Sequence, residues 1–219
     1  MTAPSGAASV QRMKQGLANF PKISSLICGA ASATGFAPLN LWAVTLAAFV
    51  ALLLLVKGAP DRAAALSRGY WFGIGHFVVG MNWIAGAFRF QESMPVWLGW
   101  VAMVVLAFYL ALYPAISAGL AWRYGRESPV GFILIFASAW TVTEYLRATM
   151  FTGYAWNPLG VVAIDLGALP GLSAYIGTYG LSAILCLVAG GLWLLTLRHW
   201  LAGLVLTAPI ARARSSGCT

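Results

Sequence analysis

Residues 96–122 read VWLGWVAMVVLAFYLALYPAISAGLAW, a run without one charged side chain. An α-helix rises 1.5 Å per residue, so about 20 apolar residues cross the hydrocarbon core of a bilayer. The rest of the chain is similar: 61% of its 219 residues are hydrophobic, 8% are charged, and the mean hydropathy is +0.83. Soluble domains carry about 25% charged residues. The sequence therefore predicts an integral membrane protein.

The apolar residues fall into seven segments, which predict an all-α, polytopic transmembrane helix bundle over residues 23–211. We expect six full spans and a seventh that is too short to cross comfortably. The approximate segments are 23–36, 41–56, 65–88, 93–122, 128–147, 172–197 and 201–211. Residues 1–22 show no cleavable signal pattern and are predicted to be a cytoplasmic lead-in. Residues 212–219 are predicted to be an aberrant or disordered tail.

Several residues predict where these helices begin, bend and pack. Asn40 is a candidate N-cap for the second segment, and Ser128 followed by Pro129 predicts the start of the fifth. Pro114 is expected to kink the fourth segment. Small residues at helical spacing let helix backbones approach closely. In the third segment Gly69 and Gly73 are four residues apart, and Gly75 and Gly80 follow.

The basic residues predict the orientation, because Lys and Arg are enriched in cytoplasmic loops. With the N-terminus in the cytoplasm, nine of them face inward: Arg12, Lys14, Lys22, Lys57, Arg62, Arg68, Arg123, Arg126 and Arg198. Two, Arg89 and Arg147, face outward. The net charge of +8 is thus spread over short connections and forms no basic face, so nucleic acid is excluded as a partner.

The sequence offers no metal, cofactor or self-contained hydrolytic site. Its three cysteines show no C-x-x-C spacing, and His76 and His199 are the only imidazoles. Cys28 and Cys186 are expected to be buried. His76 is expected to be a neutral ring bonded to a neighbouring helix, with a proton relay as the alternative. Serine-hydrolase, phosphate-loop and His-Glu-x-x-His patterns are absent as well, so no catalytic residue is assigned.

An acid and a base end the fifth segment, in the run Glu144-Tyr145-Leu146-Arg147. Residues three apart share a helix face, and ionisable groups at this depth are costly and often functional. One hypothesis is a polar site for a lipid headgroup or a docking domain at the outer interface. The other is an ion pair that lets the helix end lie among the headgroups. The sequence leaves both open.

Three further residues on the outer side are candidates for lipid binding or domain docking. Trp156 lies in an aromatic loop, although Trp and Tyr also gather at membrane interfaces for general reasons. Asn82 needs a hydrogen-bond partner, which a neighbouring helix or a ligand would supply. Arg89 belongs to a short polar loop. The alternative interpretation of this loop is a solvated turn without a binding role. Asp165 is a candidate cap for the helical turn that follows it.

The order of several motifs resembles the membrane domain of apolipoprotein N-acyltransferase, from about residue 15 to about residue 200. The first matching pieces are Gly35-Phe36-Ala37-Pro38, Leu41-Trp42, Gly80-Met81-Asn82-Trp83-Ile84 and residues 109–115. The later ones are Trp140-x-x-x-Glu144-x-Leu146-Arg147, Phe151-Thr152-Gly153-Tyr154-Ala155-Trp156-Asn157, Ile164-Asp165 and Ile176-Gly177-x-Tyr179-Gly180-x-Ser182. The piece around Trp156 is the most specific.

This resemblance implies a multi-pass enzyme of the bacterial inner membrane with periplasmic outer loops. Such enzymes transfer an acyl chain from a phospholipid, typically phosphatidylethanolamine, to the N-terminal cysteine of a diacylated lipoprotein. The family's catalyst is a periplasmic nitrilase-like domain with a Glu base, a Lys and a Cys nucleophile, and the Cys forms a thioester intermediate. No residue here matches that set, and Cys218 has no base beside it. We therefore expect a fragment that lacks the nitrilase-like domain and is inactive alone.

Two other function classes remain open from the sequence. His76 and Asn82 in one segment suggest a small transporter or channel, although mid-membrane Lys, Asp and Glu are lacking. The outer loops also suit a non-catalytic membrane scaffold that binds a partner.

Overall fold

The computed structural model describes residues 19–90, 95–150, 153–167, 169–197 and 199–215. Within these ranges the regular elements are all helical. The α-helices are α1 (Pro21–Ser32), α2 (Trp42–Lys57), α3 (Arg62–Gly80), α4 (Trp83–Ala87), α5 (Val96–Leu110), α6 (Leu112–Gly125), α7 (Pro129–Thr149), α8 (Leu169–Thr196) and α9 (Trp200–Ser215). Short 3₁₀ helices cover Ala33–Gly35, Phe88–Phe90 and Leu159–Asp165.

Three helical stretches are long and apolar enough to cross a membrane, namely Val96–Gly125, Pro129–Thr149 and Leu169–Thr196. Trp42–Lys57 and Trp200–Pro209 are shorter apolar helices. The prediction of an all-helical chain with membrane-spanning helices is confirmed at this level. The count of six full spans plus a seventh, and the cytoplasmic N-terminus, stay predictions.

The third predicted segment does not continue to Phe88, because α3 ends at Gly80 and α4 begins only at Trp83. Asn157 Nδ2 donates a hydrogen bond of 2.9 Å to the Gly80 carbonyl oxygen. That oxygen would otherwise accept the helical bond from the amide of Ile84, which instead donates to Met81. A side chain from a distant loop therefore stabilises the helix end.

Local start and stop signals were predicted with mixed success. Ser128 Oγ accepts from the Gly131 amide at 3.3 Å and Pro129 opens α7, as expected. The prediction for Asn40 is wrong, because Leu41 precedes α2 and Asn40 has a φ of 50°, a turn conformation. The long apolar run is interrupted between α5, which ends at Leu110, and α6, which begins at Leu112. Pro114 follows in the first turn of α6 and has no N–H to donate.

The last two apolar segments also differ from the expected continuous helices. Gly177 interrupts α8 with φ 67° and ψ 177°, a conformation that only glycine adopts readily. Helix α9 runs to Ser215, so it includes residues 212–215 of the predicted tail. Residues 216–219, with Cys218, lie outside the described residues. The sequence pattern alone does not predict where these two helices break or end, because tertiary contacts override local helix propensity.

Glycines allow α3 to pack closely against its neighbours, as predicted. A Cβ on Gly29 of α1 would lie 1.9 Å from the Phe72 carbonyl oxygen, and one on Gly75 would lie 2.1 Å from the Leu26 carbonyl oxygen. On another face, Gly73 lies against the Cα of Ala111. The helix backbones are therefore in direct contact, which a side chain at these positions would prevent.

The core fixes α7 against α2 and α3. The ring centroids of Phe49 and Trp140 are 4.8 Å apart, and those of Phe49 and Phe72 are 5.3 Å apart, both edge to face. His76 Nδ1 lies 2.7 Å from Ser32 Oγ, so the predicted bond from this ring to a neighbouring helix is confirmed. The ring contacts thus hold α7 at Trp140, and the His76–Ser32 bond joins α3 to α1.

Candidate functional site

The centre of the candidate site is an ion pair on the last turns of α7. Arg147 Nη2 donates to Glu144 Oε1 at 3.3 Å, and the two side chains are only 3% and 2% exposed. Neither hypothesis drawn from the sequence placed the pair this deep. Burying a charge is costly unless it is paired and hydrogen-bonded. Because both side chains are buried, removing either one would leave the other as an unpaired buried charge.

The ion pair also holds the loop that follows α7. The Leu159 amide donates to Glu144 Oε1 at 2.8 Å, at the first residue of the 3₁₀ helix Leu159–Asp165. The first amides of a helix lack internal partners and favour a negative charge. Glu144 thus satisfies an amide 15 residues further along the chain while it pairs with Arg147.

A second bond fixes the same 3₁₀ helix to α8. The Gly160 amide donates to Ser182 Oγ at 2.7 Å, and Ser182 Oγ donates to the Thr178 carbonyl oxygen at 3.2 Å. A Cβ on Gly160 would lie 2.1 Å from the Thr178 carbonyl oxygen, so only glycine permits this approach. Consecutive amides of the loop are therefore held by α7 and by α8.

Arg147 faces an aromatic and apolar cluster on its other side. Its guanidinium carbon lies 4.8 Å from the centroid of the Phe77 ring, a cation–π distance. Phe77 packs with Met81, Ala107, Leu110 and Tyr113, and the half-buried Trp156 packs against this Phe77 cluster. The ion pair and the aromatic loop thus meet at one group of side chains.

The loop residues before the 3₁₀ helix form an aromatic group at the end of α3. The ring centroids of Tyr154 and Trp156 are 4.6 Å apart, and those of Trp83 and Tyr154 are 6.5 Å apart. Asn157, with a φ of 43°, carries the amide that bonds Gly80. Phe151 and Thr152, which belong to the same predicted motif, lie outside the described residues.

Two buried polar atoms of the ion pair lack a hydrogen bond of good geometry. Glu144 Oε2 and Arg147 Nε are buried and have no hydrogen-bond partner among the residues that the structure describes. Buried polar groups are nearly always paired in folded proteins. The Trp140 indole and the Ser182 hydroxyl, which interact with the Glu144 carboxylate, are the donors beside it.

The structure separates the five predicted site residues into two groups. Glu144, Arg147 and Trp156 meet around the Phe77 cluster. Asn82 and Arg89 are exposed, and within the described ranges the Asn82 side chain makes no hydrogen bond, contrary to the partner expected for it. Asp165 is also exposed and ends a 3₁₀ helix, so it does not cap the following turn.

Sequence reasoning missed the residues that hold the loop. Ser182 belonged to a motif with no assigned role, but its hydroxyl accepts the Gly160 amide, and Gly160 makes the close approach to α8. Asn157 belonged to one of the matching motifs, but the sequence assigned it no role. A signal was present in Asn157-Pro158, because Asn-Pro favours a turn. Among the described residues, no group of three or more His, Cys, Asp or Glu forms a metal site.

Comparison with known proteins gives consistent matches. A family model described as the apolipoprotein N-acyltransferase N-terminal domain matches residues 28–191. The chain is 35% identical over 190 residues to the apolipoprotein N-acyltransferase of Ralstonia nicotianae, covering 84% of this chain and 36% of the relative. For Nitrosomonas europaea the identity is 33%, with 80% and 36% covered, and for Shewanella oneidensis it is 34%, with 83% and 35% covered. The chain thus spans about a third of the length of these relatives.

Proposed function

Since the chain belongs to the apolipoprotein N-acyltransferase family, we propose that it forms the membrane domain of an enzyme that N-acylates lipoproteins. The reaction proposed is transfer of an acyl chain from a phospholipid to the N-terminal cysteine of a diacylated lipoprotein. The family match supports this assignment over a small transporter or channel and over a non-catalytic scaffold. His76, which suggested a transporter, is bonded to Ser32 and packed among Phe36, Phe72 and Phe77.

The observation that carries the proposed role is the shared oxygen of Glu144, which bonds both Arg147 and the Leu159 amide. This contact holds the aromatic loop with Trp156 on the end of the bundle. Trp and Tyr favour the interface between headgroups and acyl chains. The membrane domain is thus proposed to present these aromatic rings at the level where a phospholipid and a lipopeptide both place their ester groups.

The 219 residues are proposed to lack acyl-transfer activity on their own. Acyl transfer through a covalent intermediate needs a nucleophile beside a base. Cys186 is 1% exposed in α8, and Cys28 lies partly buried in α1. Among the described residues, neither thiol belongs to a group of three or more His, Cys, Asp or Glu, and Glu144, the acid whose charge acts on Cys186, is paired with Arg147. The matched relatives have most of their length outside the region of similarity.

The proposed location is the bacterial inner membrane, with the N-terminus in the cytoplasm and the loop of residues 153–167 in the periplasm. The uneven distribution of Lys and Arg supports this orientation. In a variant with all three cysteines changed to alanine, D165C should react with a membrane-impermeant maleimide in intact spheroplasts. E127C, also exposed but on the α6–α7 turn, should react only after lysis. The reverse labelling pattern would overturn the orientation.

A domain exchange tests the proposed function. We expect the Ralstonia nicotianae relative to keep N-acylation of a diacylated lipopeptide when its matching segment is replaced by residues 28–191 of this chain. The exchanged protein with Asp165→Asn should remain active, whereas Glu144→Ala should lose most activity because the Trp156 loop is released. The isolated 219-residue chain should give no product above background. An exchanged protein that accumulates in the membrane without transferring acyl chains would contradict the proposal.

A further inference from the structure

An apolar groove runs along the outside of the bundle between α6 and α7, away from the Trp156 loop. It encloses about 500 Å³. Its lining residues are Leu120, Tyr124, Leu134, Ile135, Ser138, Ala139, Val142 and Thr143. The side chains of Tyr124, Leu134 and Val142 are 66%, 49% and 57% exposed, so they form an open rim. The groove therefore faces the surroundings of the helices and is not part of the buried polar site.

Positive charge is concentrated at one end of this groove. The Arg123 guanidinium carbon lies 5.2 Å from the centroid of Tyr124, which lines the groove. Arg126 is exposed in the adjoining turn, and Lys57 donates a hydrogen bond to its carbonyl oxygen. The turn contains a single acid, the exposed Glu127, so cations outnumber anions at this end. An exposed Tyr beside an Arg is typical of the boundary between headgroups and acyl chains.

The length and the bulky rim of the groove favour an acyl chain over a helix as its occupant. From Leu134 to Val142 it extends about 12 Å along α7, close to the depth of one leaflet, about 15 Å. Helix contacts in membranes favour small residues, whereas this rim is bulky.

We propose that this groove binds one acyl chain of an anionic phospholipid, whose headgroup contacts Arg123 at the α6–α7 turn. The chain lies against Leu120, Leu134 and Val142, and the Arg123 stem extends along Tyr124 to place its charge at the headgroup. The site lies on the side opposite the Trp156 loop. It rests on the apolar groove and its charged end, and it stands independently of the proposed acyl-transfer function.

Lipid retention by the purified 219-residue chain tests the site. The protein is equilibrated in micelles containing equal amounts of phosphatidylglycerol and phosphatidylcholine, and bound lipid is counted by native mass spectrometry. We expect a preference of about fivefold for phosphatidylglycerol, since one cation near an anionic headgroup contributes about that factor. Arg123→Gln should reduce the preference to near unity. Arg62→Gln, which removes an exposed cation at the start of α3, should leave the preference unchanged.

Blocking the groove with a larger side chain provides a second test of the proposal. Ser138→Phe places a ring in the groove from an exposed position, and it should abolish retention of both lipids. Ile116→Phe, on α6 outside the groove and 45% exposed, is the matched control and should retain them. A photoreactive residue at Leu134 should crosslink to phospholipid. Equal retention of the two lipids by the unmodified chain, or crosslinking of Leu134 to polypeptide, would overturn the proposal.

Discussion

Replacing Glu144 by alanine is expected to lower the free energy of unfolding by about 3–5 kcal/mol, the range for breaking a buried ion pair. The change removes the partner of Arg147, which is 3% exposed, and leaves the guanidinium charge buried. It also removes the acceptor of the Leu159 amide, whose bond of 2.8 Å ties the loop to α7. Unfolding in mixed micelles of a mild detergent and sodium dodecyl sulfate measures the loss.

Companion variants separate the two parts of this effect. Glu144→Gln keeps an oxygen for the Leu159 amide but removes the charge, so we expect a smaller loss than with alanine. The double variant Glu144→Leu, Arg147→Leu removes both charges and leaves mainly the unpaired amide, a loss of about 1–3 kcal/mol. Glu127→Ala, an exposed acid, should change stability by less than about 0.5 kcal/mol. If Glu144→Ala were as mild as Glu127→Ala, the ion pair would not support the fold.

Gly29→Ala is expected to be nearly as damaging, although it adds one methyl group to a helix. That Cβ would lie 1.9 Å from the carbonyl oxygen and 2.8 Å from the carbonyl carbon of Phe72. Both are backbone atoms of α3, so no side chain can rotate away and the two helices must separate. We expect a loss of about 3 kcal/mol, at the upper end of the overpacking range, measured by the same unfolding experiment.

The control for this substitution is Gly86→Ala in α4. Outside its own helix and chain neighbours, no described residue has an atom within 4 Å of a Cβ built at Gly86. Alanine has the higher helix propensity, by about 1 kcal/mol, so this variant should be neutral or slightly stabilising. Gly75→Ala, whose Cβ would lie 2.1 Å from the Leu26 carbonyl oxygen, should behave like Gly29→Ala. Tolerance of both substitutions in α1 and α3 would show that these helices do not contact through their backbones.

Much of the fold follows from local sequence because the deciding interactions are local. Ser128 and Pro129 predict the start of α7, since the Ser128 hydroxyl accepts an amide only three residues away. Pro114 predicts an interruption because its ring removes a donor within the same helix. The helical class itself follows from apolar composition, since a membrane requires every backbone group to be bonded internally.

The site was only partly predictable. The spacing of Glu144 and Arg147 predicts that they share a helix face, and they do pair. Their burial was not predicted, because it depends on Phe77 and on the loop that returns across α7. Asn82 illustrates the converse: its position near a helix end suggested a bonded amide, but the helix ended earlier and left Asn82 exposed.

The amino-acid sequence by itself determined the helical, membrane-spanning class of the chain and the position of Glu144 and Arg147 on one helix face. The apolar composition indicates that the helices lie in a membrane, and helical periodicity places residues three or four apart next to each other. Only the tertiary structure decided that Glu144 accepts the Leu159 amide, that Ser182 accepts the Gly160 amide, and that Asn157 ends α3 at Gly80. Such bonds join segments 15 to 77 residues apart. They form only after packing has brought the helices together, and the periodicity of the sequence does not predict that packing.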